Sequence, residues 1–212
     1  VAVVVPSPAI SEVLLATYAF SFQIYCDFAG YSFMAIGLAL VMGIELMENF
    51  RRPYFSKNIS EFWRRWHISL SSWFRDYFFT PFYIYLGSIK FLKRYSIKLR
   101  HTLTFMMALL ITEYFLGLWH GAGWNYGFFG IYHALMIGIY YFVRHYWDKM
   151  NLFLQIFLNY QIACVGWLIF RSNTMEQAWK MFKSIFVNIS FTQINDLKTS
   201  IISFLAFTSL LI

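Results

Sequence analysis

Two of the five histidines stand where an imidazole can do chemistry. His120 closes the apolar run from Thr102 to Trp119 and is followed by Gly121 and Gly123, so its ring should lie at or below a membrane surface, against backbone that only glycine permits. An unperturbed imidazole titrates near pH 6.5, and burial among apolar groups lowers that value, leaving a neutral ring able to accept a proton. Position alone leaves two readings: a general base, or a histidine satisfied by a backbone carbonyl in helix packing. His67 has Trp63, Leu70 and Phe74 at four-, three- and seven-residue separations, which turns its ring toward an apolar face, and Ser71, one turn on, can hold or orient it. A purely structural role is equally open.

The remaining ionisable groups are secondary candidates. Asp27 and Glu113 sit within apolar runs and are each expected to pair with a base across a helix bundle. His133 is either a third ring near the site or a packed histidine, whereas His101 and His145, beside Arg100 and Arg144, belong at helix ends. Arg64, Arg65, Arg75 and Asp76 fall on or near the face opposite His67; most such charges are solvated or lipid-facing, but Arg75 can pair with Asp76 or bind an anionic group. Cys26 and Cys164 lie in apolar runs without metal or redox spacing and read as small buried hydrophobes. Glycine-rich phosphate loops, zinc-ligand pairs, nucleophile-elbow serines and dinucleotide fingerprints do not occur.

The elements that must position these residues follow from composition. With 59% hydrophobic, 23% aromatic and 13% charged residues, a solvated globule is excluded and lipid is the natural solvent. The expected fold is an all-α polytopic transmembrane bundle with spans at about 13–26, 28–44, 102–119, 124–143, 152–170 and 200–212. The first two are separated by a break near Asp27, where Gln23, Asp27 and Gly30 interrupt the apolar run. Gly121-Ala122-Gly123 makes a tight turn, so the spans on either side should be an antiparallel pair. Asn58 and Glu61 form a capping-box pattern after a turn at Pro53, and Phe62, Trp66, Leu70, Trp73 and Tyr77 make one aromatic stripe, predicting an amphipathic helix over about 59–77. Asn188 to Ser200 reads as a polar loop.

The net charge of +7 gathers in two groups, Arg51 to Arg75 and Lys90 to Arg100, both between apolar stretches. Such clusters orient membrane proteins and contact anionic lipid, so nucleic acid is not the expected partner, and the second group should face the cytoplasm. The chain opens on Val1 and closes on Leu210-Leu211-Ile212 inside an apolar run, so a bundle truncated at both ends is expected.

The run Tyr25-Cys26-Asp27-Phe28-Ala29-Gly30-Tyr31, then Glu48-Asn49-Phe50, then Glu61-Phe62-Trp63-Arg64-Arg65-Trp66-His67-Ile68-Ser69-Leu70-Ser71-Ser72-Trp73-Phe74-Arg75-Asp76-Tyr77, resembles bacterial members of the membrane-bound O-acyltransferase family. Gly117-Leu118-Trp119-His120-Gly121-Ala122 and Gly166-Trp167-Leu168-Ile169-Phe170-Arg171 continue the same order, so the likeness covers roughly residues 20 to 180. It is greatest to the branch that O-acetylates alginate, peptidoglycan and related polysaccharides, with D-alanyl transfer to teichoic acid as a near relative. The resemblance implies a tunnel through a helix bundle, His120 as the catalytic residue and His67 as a second functional histidine. Trp63, Arg64, Trp66, Ser71, Arg75, Asp76, Trp119 and Asp27 then stand as substrate-binding or supporting residues. It also implies a thioester donor, acetyl-CoA or an acyl-carrier protein, with no bound cofactor or metal. A polysaccharide acceptor, a periplasmic esterase-like partner and a place in the bacterial cytoplasmic membrane complete the expectation. Cys26 departs from the family pattern, which commonly has an aromatic or other apolar residue there, and the chain is shorter than a family member. Three other readings compete: D-alanyl transfer, a transporter or channel using the intramembrane His, Glu and Asp groups with a helix broken near Asp27, and a non-catalytic assembly subunit.

Overall fold

The computed structural model describes residues 10–187. The expected span at 200–212 and the polar loop at 188–200 lie outside them. All regular elements among the described residues are helical: α1 (Ile10–Val41), α2 (Ile59–Arg65), α3 (Ile68–Phe74), α4 (Thr80–Ser88), α5 (Ile97–Trp119), α6 (Trp124–Trp147), α7 (Leu152–Arg171) and α8 (Met175–Val187). Four of these, α1, α5, α6 and α7, are long and apolar enough to cross a membrane.

The antiparallel pair expected across Gly121 to Gly123 is present as α5 and α6, and its closeness has a covalent reason. A Cβ on Gly117 would meet the carbonyl oxygen of Tyr126, and one on Gly130 would meet that of Glu113, so the two backbones touch where glycine occurs on each helix. Both spans run beyond their expected ends, α5 starting at Ile97 behind a Ser96 cap and α6 continuing to Trp147.

The first region differs from expectation. There is no break at Asp27; α1 runs unbroken through 32 residues, about 48 Å at 1.5 Å per residue, more than a bilayer core of about 30 Å requires. Two features let it continue. Gly30 has nothing within 4 Å of its absent Cβ, and Asp27 is exposed on the helix surface, so neither residue needs the helix to unwind. A break would instead strand backbone N–H and C=O groups in an apolar medium.

The amphipathic helix expected over 59–77 is likewise not one helix. It begins as anticipated, with Asn58 Oδ1 accepting from Glu61 N at 2.8 Å and Glu61 Oε2 accepting from Lys57 N at 2.7 Å, after a 3₁₀ turn at Pro53–Phe55. It then stops at Arg65 and restarts at Ile68. A π-helical turn, Arg75–Phe79, links α3 to α4. The aromatic stripe is accordingly split: Phe62 and Trp66 are buried, while Trp73 and Tyr77 are exposed.

One element was not anticipated. In α8, Thr174 Oγ1 accepts from Gln177 N and Gln177 Oε1 accepts from Asn173 N, a capping arrangement whose Thr-x-x-Gln spacing was visible in the sequence. The core that unites the bundle is aromatic: Phe50, Phe62, Trp63, Trp66, Phe129 and Trp167 are all buried in one cluster. Cys164 is buried as expected, but Cys26 is exposed on α1, since that side of the helix is not covered by another described helix.

Candidate active site

His67 occupies the joint between α2 and α3. Its backbone is left-handed, φ 43° and ψ 57°, a conformation that costs a non-glycine residue about 1–3 kcal/mol and tends to be kept at functional sites. The joint is secured by the segment that follows α1. Arg51 N donates to Arg65 O and Ile68 N donates to Asn49 O, both at 3.0 Å, replacing the helical bonds lost at the kink. The Asn49 side chain finishes the joint: Oδ1 accepts from Ser69 N at 3.0 Å and from Ser69 Oγ at 2.8 Å, and lies 3.4 Å from His67 Nδ1.

The imidazole of His67 meets Phe28 edge-on, with centroids 4.6 Å apart, and lies 6.5 Å from Phe50 and 6.3 Å from Trp119. His120 caps the C-terminus of α5 in the turn between the two spans, its N–H on Gly117 O at 3.0 Å. Its ring contacts Trp119 at 5.0 Å, Phe170 at 5.1 Å and Phe129 at 6.2 Å. The indole of Trp119 therefore touches both imidazoles, which lie 53 positions apart in the chain.

Burial in this aromatic setting depresses the His67 pKa to about 4, with the nearby His120 ring adding to the effect. Burial alone takes His120 to about 4. Both rings are neutral at pH 7, the state in which an imidazole accepts a proton.

A cleft of about 700 Å³ lies beside this pair, between the middle of α1, the start of α6 and the end of α7. Phe28 and Phe170 form part of its wall and are the same rings that contact His67 and His120 respectively. Asp27 lines it, together with Gln23, Asn125 and Arg171. Asp27 makes no ion pair among the described residues, contrary to expectation, because it faces the open cleft rather than a neighbouring helix.

The other anticipated residues divide by distance from the rings. Trp66 is buried against Phe50 at 5.0 Å and Trp167 at 4.8 Å, and so backs the wall behind His67. Trp63 reaches neither imidazole of the pair; it packs edge-on to His133 at 5.0 Å. Ser71 does not hold the His67 ring: its hydroxyl donates to Trp66 O at 3.1 Å, because the kink rotates α3 away from a regular helical register. That orienting place belongs to Asn49 and Ser69, which sequence reasoning missed. Asn49 is 18 positions before His67, and only the folded return of the chain joins them.

Arg75 is exposed and paired with Asp76 at 2.8 Å, away from both imidazoles. Arg64 and Arg75 line a separate cavity of about 180 Å³ together with Ser71, Ser72 and Glu113. Glu113 is buried there with no ion pair among the described residues, so the cross-bundle pairing expected of it is not made, and its Oε2 has no hydrogen-bond partner. His133 is packed among Trp63, Phe129 and Tyr132.

The family model described as MBOAT, membrane-bound O-acyltransferase family, matches residues 9–179. The chain belongs to the membrane-bound O-acyltransferase family. It is 39% identical over 180 residues to a protein of Azotobacter vinelandii named probable alginate O-acetylase, a match covering 84% of this chain and 34% of that one. A teichoic acid D-alanyltransferase of Bacillus subtilis is 36% identical over 167 residues, covering 74% of this chain and 40% of its own length. A peptidoglycan O-acetyltransferase of Helicobacter pylori is 32% identical over 175 residues, covering 81% and 31%. The chain thus spans about a third of the length of these O-acyltransferase relatives. The segment matched by the family model contains both His67 and His120, together with the four helices long and apolar enough to cross a membrane.

Proposed function

We propose that this chain carries the acyl-transfer centre of an enzyme that moves acetyl from a thioester donor, acetyl-CoA or an acyl-carrier protein, to a hydroxyl destined for a cell-envelope polysaccharide. The observation that carries this reading is the convergence of two neutral imidazoles on Trp119. His120 removes the hydroxyl proton as the acceptor oxygen bonds to the acyl carbon. The tetrahedral intermediate collapses by breaking the C–S bond, and the proton passes to the departing thiolate. General-base assistance of this kind contributes roughly 10²–10⁴-fold. His67, fixed by the Asn49 joint, orients the acceptor or donates to the oxyanion. The 700 Å³ cleft supplies an approach for the acceptor. A place in the bacterial cytoplasmic membrane, and a periplasmic partner that completes delivery to the polymer, belong to the same reading.

D-alanyl transfer to teichoic acid differs only in the acyl group and final acceptor, and the likeness to the Bacillus subtilis protein favours keeping it as the second reading. The transporter alternative loses its structural motive, since the helix expected to break near Asp27 is continuous. Purified full-length protein in vesicles, supplied separately with radiolabelled acetyl and D-alanyl thioesters, separates these readings. Transfer of acetyl to a hydroxyl acceptor is expected. Selective D-alanyl transfer would favour the second reading, and solute movement without transfer would overturn both.

A further inference from the structure

Away from the imidazoles, a slot of about 410 Å³ opens between α1, the 3₁₀ turn at Pro53–Phe55 and the first three turns of α7. Phe22, Cys26, Phe153, Ile156 and Phe157 form apolar walls, joined by the ring of Tyr25. The hydroxyls of Tyr54 and Tyr160, which also line it, are engaged elsewhere: Tyr54 donates to Ser21 O, and Tyr160 shares a hydrogen bond with Ser21 Oγ. The interior therefore offers hydrocarbon and aromatic surface with little demand for a polar guest. It opens beside exposed apolar side chains, Phe153 being 77% and Phe22 46% accessible.

Arg52 is the one charged residue lining this slot. Its neighbours are committed, Arg51 to Glu48 and Arg65 to Glu61, each at hydrogen-bond distance. The Arg52 side chain has no ion pair or hydrogen bond among the described residues. Its backbone is left-handed, φ 47° and ψ 58°, and it is the only non-glycine residue besides His67 with positive φ among them. The Arg51 bond to Arg65 O on one side and Pro53 on the other hold it in that costly geometry.

The level in the membrane fits a phosphate. Trp147 Nε1 donates to Lys57 O at 2.8 Å, which ties this segment to the end of the bundle where α6 stops and α7 starts. Phe157 is five residues past Leu152, about 8 Å along the helix, so the slot reaches from headgroup depth into the acyl region. An apolar slot with one unpaired guanidinium at its rim has the polarity of a lipid: chain inside, anionic head at the mouth.

We infer that this slot holds an acyl chain of an anionic phospholipid from the surrounding membrane, with the phosphate on the Arg52 guanidinium. The inference does not depend on the acyl-transfer reading. Full-length protein is reconstituted with phosphatidylglycerol and phosphatidylcholine of identical chains, then released from detergent for native mass spectrometry of retained lipid. Wild type is expected to retain phosphatidylglycerol over phosphatidylcholine by about fivefold, the factor for one basic group at a membrane surface. Arg52→Gln should bring that ratio to near one, and Cys26→Trp, which fills the slot from the exposed face of α1, should reduce retention of both lipids. Equal retention of the two lipids by wild type would overturn the inference. So would an unchanged preference in Arg52→Gln, or undiminished retention in Cys26→Trp. A benzophenone side chain at Phe55 gives the second readout: a lipid adduct is expected, and a polypeptide adduct in its place would overturn the assignment.

Discussion

At the residue scale, the proposed acyl transfer depends on two imidazoles that remain neutral well below the usual histidine range. With both pKa values depressed to about 4, the basic form persists through weak acid. The acid limb of kcat/KM for acyl transfer should therefore centre near pH 4 rather than near 6.5, and a limb at 6 to 7 would show solvated rings. Stability follows the same sign. The unfolded histidines take up protons from about pH 6.5 downward while the folded ones resist until about 4, so this contribution is full above 6.5 and lost as pH falls toward 4. Thermal unfolding scans across that window check it. Asn49 gives a second prediction: Asn49→Ala leaves Ser69 N without its acceptor and removes the side chain that packs beside His67 Nδ1, and should lower stability by about 1–3 kcal/mol and acyl transfer by more than tenfold. Wild-type behaviour in both assays would remove Asn49 from the site. His67 and His120 were readable as residues because ionisable rings in apolar surroundings are conspicuous. Asn49 was not, since its importance arises from a backbone pairing between segments that are distant in sequence.

At the scale of elements, the glycines separate helix contact from helix propensity. Gly117→Ala would place a methyl on the Tyr126 carbonyl and Gly130→Ala one on that of Glu113, so α5 and α6 must move apart. Each should destabilise the protein by about 1–3 kcal/mol, measured by thermal unfolding in detergent. Gly30→Ala on α1 meets nothing within 4 Å and should be neutral or stabilising by up to about 1 kcal/mol. If all three behaved alike, the close α5–α6 contact would be wrong. The α5–α6 pair could be read from the sequence because its turn is spelled by glycine. The kink at His67 could not, because Trp66-His67-Ile68 contains neither glycine nor proline and the aromatic periodicity continues through it. The reverse holds at Asp27 and Gly30, where polar and flexible residues imply a break that the helix has no reason to make, Asp27 being exposed to the cleft and Gly30 free of close neighbours.

At the scale of the whole molecule, the charge pattern sets orientation. Lys90 to Arg100 should lie in the cytoplasm, which places the Gly121–Gly123 turn on the other side because α5 crosses between them. In a background with Cys26 and Cys164 replaced, a membrane-impermeant thiol reagent should label Ser88→Cys from the cytoplasmic face and Ala122→Cys from the opposite face. The reverse pattern would invert the bundle. Fold class was evident from composition, since so apolar a chain has few alternatives to spanning helices. The site was less so: it draws on α1, the Asn49 segment, the α2–α3 joint, α5 and α7, and no single stretch of sequence contains it. Its decisive test is envelope O-acetylation by the full-length protein carrying His120→Ala, compared with wild type at matched membrane abundance. If His120 is the general base, acetylation falls at least a hundredfold. Unchanged acetylation would contradict that role.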